Sequence, residues 1–305
     1  MPSDPSRVQL DAVMWPDGPW PDLREEWQHA ERIGIGRGWL YDHLVLGGRP
    51  VFHDAWVTLT AAAATTARIG LGTMVTAPNF RHPVTTAKAA LTLHDVAGGR
   101  FVLGLGAGGP GTDSDAIAEV GLPRARRTAR FREFVTMTDQ LLGEPRVHVE
   151  GEFFTARDVD LGGDPGRRPP LAVAGTGRAG MALAARHAGL WITQDVAQDP
   201  RVYAGTPHAE VARQVDLLDE ACAAAGRDPD DLDRLVVLGY GGERPLDSVE
   251  SLRDCVGRYA ALGFGTVAVL WPRGDDAASR LAVLEAGLAD RPGAGLSPGS
   301  AAAPR

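Results

Sequence analysis

Residues Arg68–Gly109, RIGLGTMVTAPNFRHPVTTAKAALTLHDVAGGRFVLGLGAGG, decide how the chain folds. Arg68–Val75 is an apolar run with little alternation, the pattern of a strand buried on both faces. Ala77–Pro83 is rich in turn formers, with Pro78, Asn79 and Pro83. Thr85–His94 predicts a helix, with Val84, Ala87, Ala90 and Leu91 near one face, and Gly98-Gly99 stops it. Phe101–Leu105 is a second apolar strand, opening into the glycine loop Gly104–Gly109. Strand, helix and strand in this order form a βαβ unit, whose strands are parallel and whose crossover is right-handed. Both strand ends then open on one edge of the sheet, the edge where ligands sit in parallel α/β folds.

The same alternation extends outward in both directions. Upstream, Val8–Met14 is a strand, Trp15–Pro21 a proline-rich loop, and Asp22–Ile33 a helix with Asp22 as its cap. Arg37–Tyr41 is a second strand, with Asp42 and His43 at its C-terminal end, and His53–Ala67 is an alanine-rich helix. Downstream, Phe131, Phe134, Val135, Thr138, Leu141 and Leu142 recur at helical spacing within Pro123–Leu142. Arg124, Arg126, Arg127, Arg130 and Arg132 crowd the first half of that helix and are read as a solvated face, with an arginine reaching a phosphate as the alternative that position does not support. Arg146–Pro170 is an insertion with a small hairpin, Val147–Val149 against Glu152–Phe154, placed near the active-site mouth.

The strands Leu171–Ala174, Leu190–Thr193, Leu235–Gly239 and Thr266–Leu270 follow. They alternate with helices Arg178–Ala188, His208–Ala225, Ser248–Leu262 and Asp275–Leu288. Eight short apolar strands alternating with helices predict a (β/α)8 TIM barrel over residues 1–290, carrying the insertion around 146–170. A doubly wound sheet would want a GxGxxG after the first strand, and Trp15–Pro21 offers none. Residues 291–305, rich in Pro, Gly, Ala and Ser, are expected to be disordered.

Composition narrows the function classes. A net charge of −8 argues against nucleic acid or an anionic membrane as partner. It leaves room for an anionic cofactor, because glycine loops and helix N-termini bind phosphate locally. Cys222 and Cys255 lie too far apart for a CxxC site and are expected to be buried thiols, so no metal centre is predicted. The polar, proline-rich start does not resemble a signal peptide and no apolar run is long enough for a bilayer, which predicts a cytoplasmic protein.

Four pieces of sequence, in order, resemble the bacterial luciferase-like monooxygenase superfamily, whose members use FMN or the deazaflavin coenzyme F420. They are Ala30–Gly34 with Tyr41-Asp42-His43-Leu44; Arg68–Thr73 with Pro78–Pro83; Gly99-Arg100-Phe101 with Gly104–Gly108; and Val173–Gly177 with Leu183–Arg186 and Trp191. Leu262-Gly263-Phe264 is a weaker match. The resemblance implies a TIM barrel, a small organic substrate and a homodimer, with a separate flavin or F420 reductase as partner. It places His43 beside the reactive face of the cofactor ring. It also puts a bulge behind the ring at Thr73-Met74-Val75, with a non-proline cis peptide at Thr73-Met74 or Met74-Val75.

The residues themselves suggest matching roles. His43 can exchange a proton near neutral pH. Asp42 can orient its imidazole or cap the next turn. Gly106-Ala107-Gly108 and Gly175-Thr176-Gly177 allow close approach of backbone to ligand, and the start of the Arg178 helix suits a phosphate. Asn79 can hydrogen-bond the polar edge of a ring, and His82-Pro83 shapes a helix start. Trp15, Trp20, Trp191 and Trp271 stand at or after strand ends, where they either line an apolar pocket or cap the core.

Family members that oxidise alcohols and sugar phosphates carry a tryptophan shortly after Asp-His and a glutamate just after the glycine loop. Gly47 and Gly109 occupy those places here, which speaks against a dehydrogenase of that type. The chain is expected to be an oxidoreductase moving a hydride between F420 (or FMN) and a small substrate, with a reduced-FMN monooxygenase and a non-catalytic flavin-binding barrel as rivals. A Schiff-base aldolase would need a lysine at a strand end, and Lys88 falls inside a predicted helix.

Overall fold

The computed structural model describes residues 4–45, 52–109, 113–117, 121–195 and 206–289; the tail 291–305 and Gly47 lie outside them. Strands β1 (Gln9–Met14), β2 (Arg37–Leu40), β3 (Gly70–Thr73) and β4 (Phe101–Leu105) form the first half of a parallel barrel. The hairpin strands β5 (Val147–Glu150) and β6 (Thr155–Val159) stand apart from it. The second half comprises β7 (Leu171–Ala174), β8 (Leu190–Gln194), β9 (Asp233–Leu238) and β10 (Thr266–Leu270). The barrel closes where β10 pairs back to β1, with Gln9 beside Thr266. The eight-stranded α/β barrel that the alternation predicted is therefore the architecture found.

Both faces of these strands are buried, which is why they lack alternation. Inside the barrel, Val13, Trp39, Val102, Ala172, Leu190, Leu235, Val237 and Ala268 pack together. Trp39 is wholly buried, and its ring occupies the space where a side chain at the adjacent Gly72 would sit. Outside, the strands pack against helices α1 (Trp20–Ile33), α2 (Ala55–Thr65), α3 (Pro83–Val96), α5 (Arg124–Gly143), α6 (Arg178–His187), α7 (Pro207–Ala225), α8 (Val249–Ala261) and α9 (Ala277–Ala289), with a short α4 (Asp113–Ala116) after the glycine loop. Val211, Val215, Leu218 and Cys222 form the buried face of α7, and Cys255 is buried on α8. Among the described residues no helix is long and apolar enough to cross a membrane.

Helix starts follow the local chemistry. Asp54 accepts from the N–H groups of Trp56 and Val57 at 2.9 and 3.0 Å to open α2, and His82 accepts from Val84 N–H at 3.2 Å before Pro83 opens α3. Asp22 does not cap α1: the helix begins at Trp20, with Pro21 in its first turn and Pro19 as the cap residue. Neither α5 nor α6 has a side-chain cap.

One expectation for the insertion is corrected. Glu152–Phe154 is not a strand. The Glu133 carboxylate on α5 accepts from the N–H groups of Glu152, Phe153 and Phe154 at 2.6–3.2 Å, so those donors are unavailable for pairing and β6 starts at Thr155. The hairpin reaches the mouth end of the helix layer, where Glu152 pairs with Arg126 in the first turn of α5 and Phe154 packs on Phe134 and on His82 before α3.

Candidate active site

The C-terminal ends of the strands open on a cavity of about 740 Å3. One wall is backbone-rich: Met74 and Val75 after β3, Gly106–Gly109 after β4, and Ala174–Gly177 after β7 leading into Arg178, Ala179 and Gly180 of α6. The other wall is side chains: Tyr41 after β2, Ile192, Thr193 and Gln194 from β8, and Val237 and Tyr240 from β9 and its loop. The first turns of α5 add Arg124, Arg127, Thr128 and Phe131. Among the described residues this lining holds three arginines and no carboxylate, in a chain of net charge −8.

The peptide bond between Met74 and Val75 is cis. Beyond it, Thr76 N–H donates to Gly104 O at 2.8 Å and Gly106 N–H to Thr76 O at 3.0 Å, so the chain bulges and then pairs again with β4. Thr73 lies under the bulge, wholly buried, and is not part of the lining. Its hydroxyl donates to Gly104 O at 2.9 Å and accepts from Gly104 N–H at 3.0 Å, tying β3 to β4.

The glycines of the two turns answer mostly to the protein itself. Gly108 has φ +68°, and a Cβ there would strike the Asn79 amide. Asn79 is buried behind the loop, donating to Gly109 O at 3.1 Å and accepting from Arg130 at 2.9 Å, so it supports the turn from outside the cavity. At Gly175 a Cβ would lie 2.8 Å from Gly180 Cα, so the absence of a side chain lets the β7 turn fold onto the start of α6. Trp191, fully buried, donates to Gly175 O at 2.7 Å and holds that turn from below. Gly177, by contrast, faces open space.

The Asp42-His43 pair splits. Asp42 is buried and both its oxygens are taken: Oδ2 accepts from Trp56 Nε1 (3.0 Å), Thr76 Oγ1 (2.8 Å) and Arg81 Nε (3.2 Å), and Oδ1 accepts from Arg81 Nη2 (2.6 Å). It binds the β2 loop to α2 and to the loop after β3, and neither lines the cavity nor orients His43. The orienting carboxylate is Asp113 of α4, whose Oδ2 lies 2.7 Å from His43 Nδ1 while Oδ1 accepts from Leu44 N–H at 2.9 Å. The Asp113 side chain is 5% exposed and that of His43 37%. His43 stands at the rim, its ring centroid 6.4 Å from that of Tyr41, which lines the cavity. An ionised carboxylate only accepts, so Nδ1 carries the proton shared with Asp113.

Several functional residues lay beyond the sequence reading. Asp113 comes four residues after Gly109, and an acid just past a glycine loop was the available signal. The arginines of α5 are not one solvated face: Arg124 and Arg127 line the cavity, Arg126 pairs with Glu152 of the hairpin, and Arg130 is buried against Asn79. Asp195, buried after β8, accepts from the N–H groups of Gly239, Tyr240 and Gly241 at 2.9–3.1 Å and so places Tyr240. Burial raises the Asp195 carboxyl above the usual range despite these donors, and burial also raises the Tyr240 phenol. None of the four tryptophans lines the cavity; Trp15 donates to Trp271 O at 3.2 Å and they cap the core instead. Among the described residues no cluster of three or more His, Cys, Asp or Glu could hold a metal ion.

Comparison with known proteins gives one family. The profile described as luciferase-like monooxygenase matches residues 5–239. The chain is 33% identical over 219 residues to an F420-dependent glucose-6-phosphate dehydrogenase of Microbacterium testaceum (strain StLB037), covering 68% of this chain and 60% of that protein. It superposes on an F420-dependent secondary alcohol dehydrogenase solved with an F420-acetone adduct, with a TM-score of 0.71 at 18% identity, covering 87% of this chain and 93% of the other. A monooxygenase from Streptomyces bottropensis superposes equally well, with a TM-score of 0.71 at 20% identity and coverage of 92% and 99%. At these identities the two structural matches concern the fold alone.

Proposed function

The chain belongs to the luciferase-like monooxygenase family, and on that premise we propose that it is an oxidoreductase moving a hydride between coenzyme F420 and a small organic substrate, with His43 as proton partner. The observation that carries the proposal is a cavity at the strand C-termini whose described lining has arginines and no carboxylate, with an Asp-held imidazole at its rim. The F420 dependence of the Microbacterium relative, of which this chain spans 60%, supports the choice of cofactor. FMN is the alternative cofactor.

The donor set fits a flat ring with an anionic tail. The free N–H groups at the start of α6, beside Gly175-Thr176-Gly177, suit a phosphate because helix N-termini carry partial positive charge and unsatisfied donors. Met74 and Val75 back the ring, and Gly106-Ala107-Gly108 flank it. When bound, the deazaflavin supplies a carbon that accepts or gives a hydride. Nε2 of His43 takes the proton of a substrate hydroxyl as the hydride leaves, or returns it in the reverse direction. Asp113 fixes the ring through Nδ1 and stabilises the imidazolium as it forms. Gly109 stands where the family's sugar-phosphate dehydrogenases carry glutamate, and Asp113 supplies a carboxylate to the same neighbourhood from four residues further on.

Titrating the purified protein with F420 and with reduced FMN, followed by fluorescence and absorbance, tests the assignment. F420 is expected to bind; tight binding of reduced FMN alone, with turnover that needs oxygen, would replace this reading with a monooxygenase. A homodimer, and a separate reductase for the cofactor, are part of the same reading through the family, and sedimentation of the purified chain checks the dimer.

A further inference from the structure

The phosphate cradle at α6 consists of backbone N–H groups and the Thr176 hydroxyl, yet the cavity carries guanidinium groups beyond it. Arg124 and Arg127, three residues apart, lie on one face at the start of α5. Arg124 is exposed and no described group pairs with it; Arg127 uses Nη1 on Leu122 O at 3.1 Å and keeps its other donors. The first turn of α5 holds no acidic residue. Arginine there opposes the helix dipole, which favours acids at that end, so the local energetics of the helix do not account for the placement. Arg178, across the cavity on α6, is already paired with Glu220 at 2.9 Å on the surface.

We propose that Arg124 and Arg127 form a second anionic subsite, which takes a carboxylate of the glutamyl chain that F420 carries beyond its phosphate and FMN lacks. The inference rests on the F420 reading above and deepens it: the phosphate is held by backbone, the tail by side chains. The subsite discriminates between two cofactors of similar ring through the part beyond the phosphate, in which they differ most. Guanidinium groups suit it because they pair with carboxylates in a planar, two-point geometry.

The test is equilibrium binding, read by deazaflavin fluorescence, of F420 with its glutamyl tail and of F420 trimmed to the phospholactyl group. The native protein is expected to favour the tailed form by roughly tenfold at low salt, in line with a charge-assisted contact at a partly exposed site. Added salt should narrow the gap. The double variant Arg124→Gln/Arg127→Gln should abolish it, the tailed form losing far more affinity than the trimmed one, and Arg124→Gln alone, at an exposed position, should remove part of it. Equal affinity of the native protein for both forms, or an equal loss of both in the double variant, overturns the subsite and leaves the F420 assignment standing. Failure of the native protein to bind either form overturns both.

Discussion

Each end of the barrel holds a buried carboxylate, and the two are used in opposite ways. At the closed end Asp11 on β1, wholly buried, accepts from Trp39 Nε1 at 2.8 Å, Gln9 Nε2 at 2.7 Å and Arg37 at 3.5 Å. Arg37 also stacks over the Trp39 ring, 5.1 Å from its centroid, and burial raises the Asp11 carboxyl above the usual range. Every partner comes from the barrel strands, so both Asp11 oxygens are satisfied without a ligand, while Arg37 Nε is buried without a partner. At the open end Asp113 spends one oxygen on a backbone N–H and the other on an imidazole that is itself partly exposed. The difference is the fate of the partner: sealed at one end, left with a spare nitrogen at the other. A buried carboxylate stabilises where its partners are held within the strands and can act on a substrate where its partner is partly exposed.

The largest expected effect breaks the open end. His43→Ala should lower turnover by about 10²–10⁴-fold, the usual contribution of a positioned proton donor or acceptor, with thermal stability nearly unchanged. Unchanged turnover would remove His43 from the chemistry. The mirror experiment is Trp39→Ala at the closed end, which should cost about 3–5 kcal/mol in denaturant unfolding because it leaves a cavity and strands Asp11. Cofactor affinity measured on the folded fraction should hold.

Asp113→Asn sharpens the contrast. It keeps the size of the side chain but can present its amide rather than an acceptor to His43, and turnover should fall roughly ten- to a hundredfold, less than on losing the imidazole itself. A fall equal to that of His43→Ala would mean that the two act as one unit. The smallest effect belongs to Glu243, an open-end carboxylate that is paired as fully as Asp11. It accepts from Arg258 at 2.7 and 2.9 Å and from Tyr259 at 3.2 Å, behind the loop that carries Tyr240. The Arg258 hydrogen bonds hold the Glu243 carboxyl below its ordinary value of 4.5. The charged form is favoured in the folded state, so this stability is present above about pH 4.5 and lost as pH falls through the folded value. Glu243→Gln should cost about 1–2 kcal/mol at pH 7, and the gap to the native protein should shrink in acid. A gap that persists at low pH would assign the loss to packing.

Much of the scaffold was legible. Phe101–Leu105, Leu171–Ala174 and Thr266–Leu270 are strands with the bounds their apolar runs suggested, because strands buried on both faces leave a continuous mark. Met74, Val75, Gly106-Ala107-Gly108 and Gly175-Thr176-Gly177 line the cavity because parallel strands deliver their C-terminal turns to one edge. Thr73 and Asn79, named with them, sit one layer behind. The hairpin was half legible: Glu133, nearly twenty residues upstream of its turn, captured the donors that a strand at Glu152–Phe154 would have needed.

The amino-acid order alone determined the kind of element at each place and the edge on which its turns emerge, because periodicity and glycine placement act over a few neighbouring residues. It could not decide which carboxylate would serve which base. Asp42 adjoins His43 in sequence yet bonds Arg81, Trp56 and Thr76, while Asp113, seventy residues away, holds the imidazole. The α5 arginines were ambiguous for the same reason, since a helical period identifies a face without identifying what lies opposite. Those choices belong to the closed barrel, which brings distant loops within the short range over which hydrogen bonds operate.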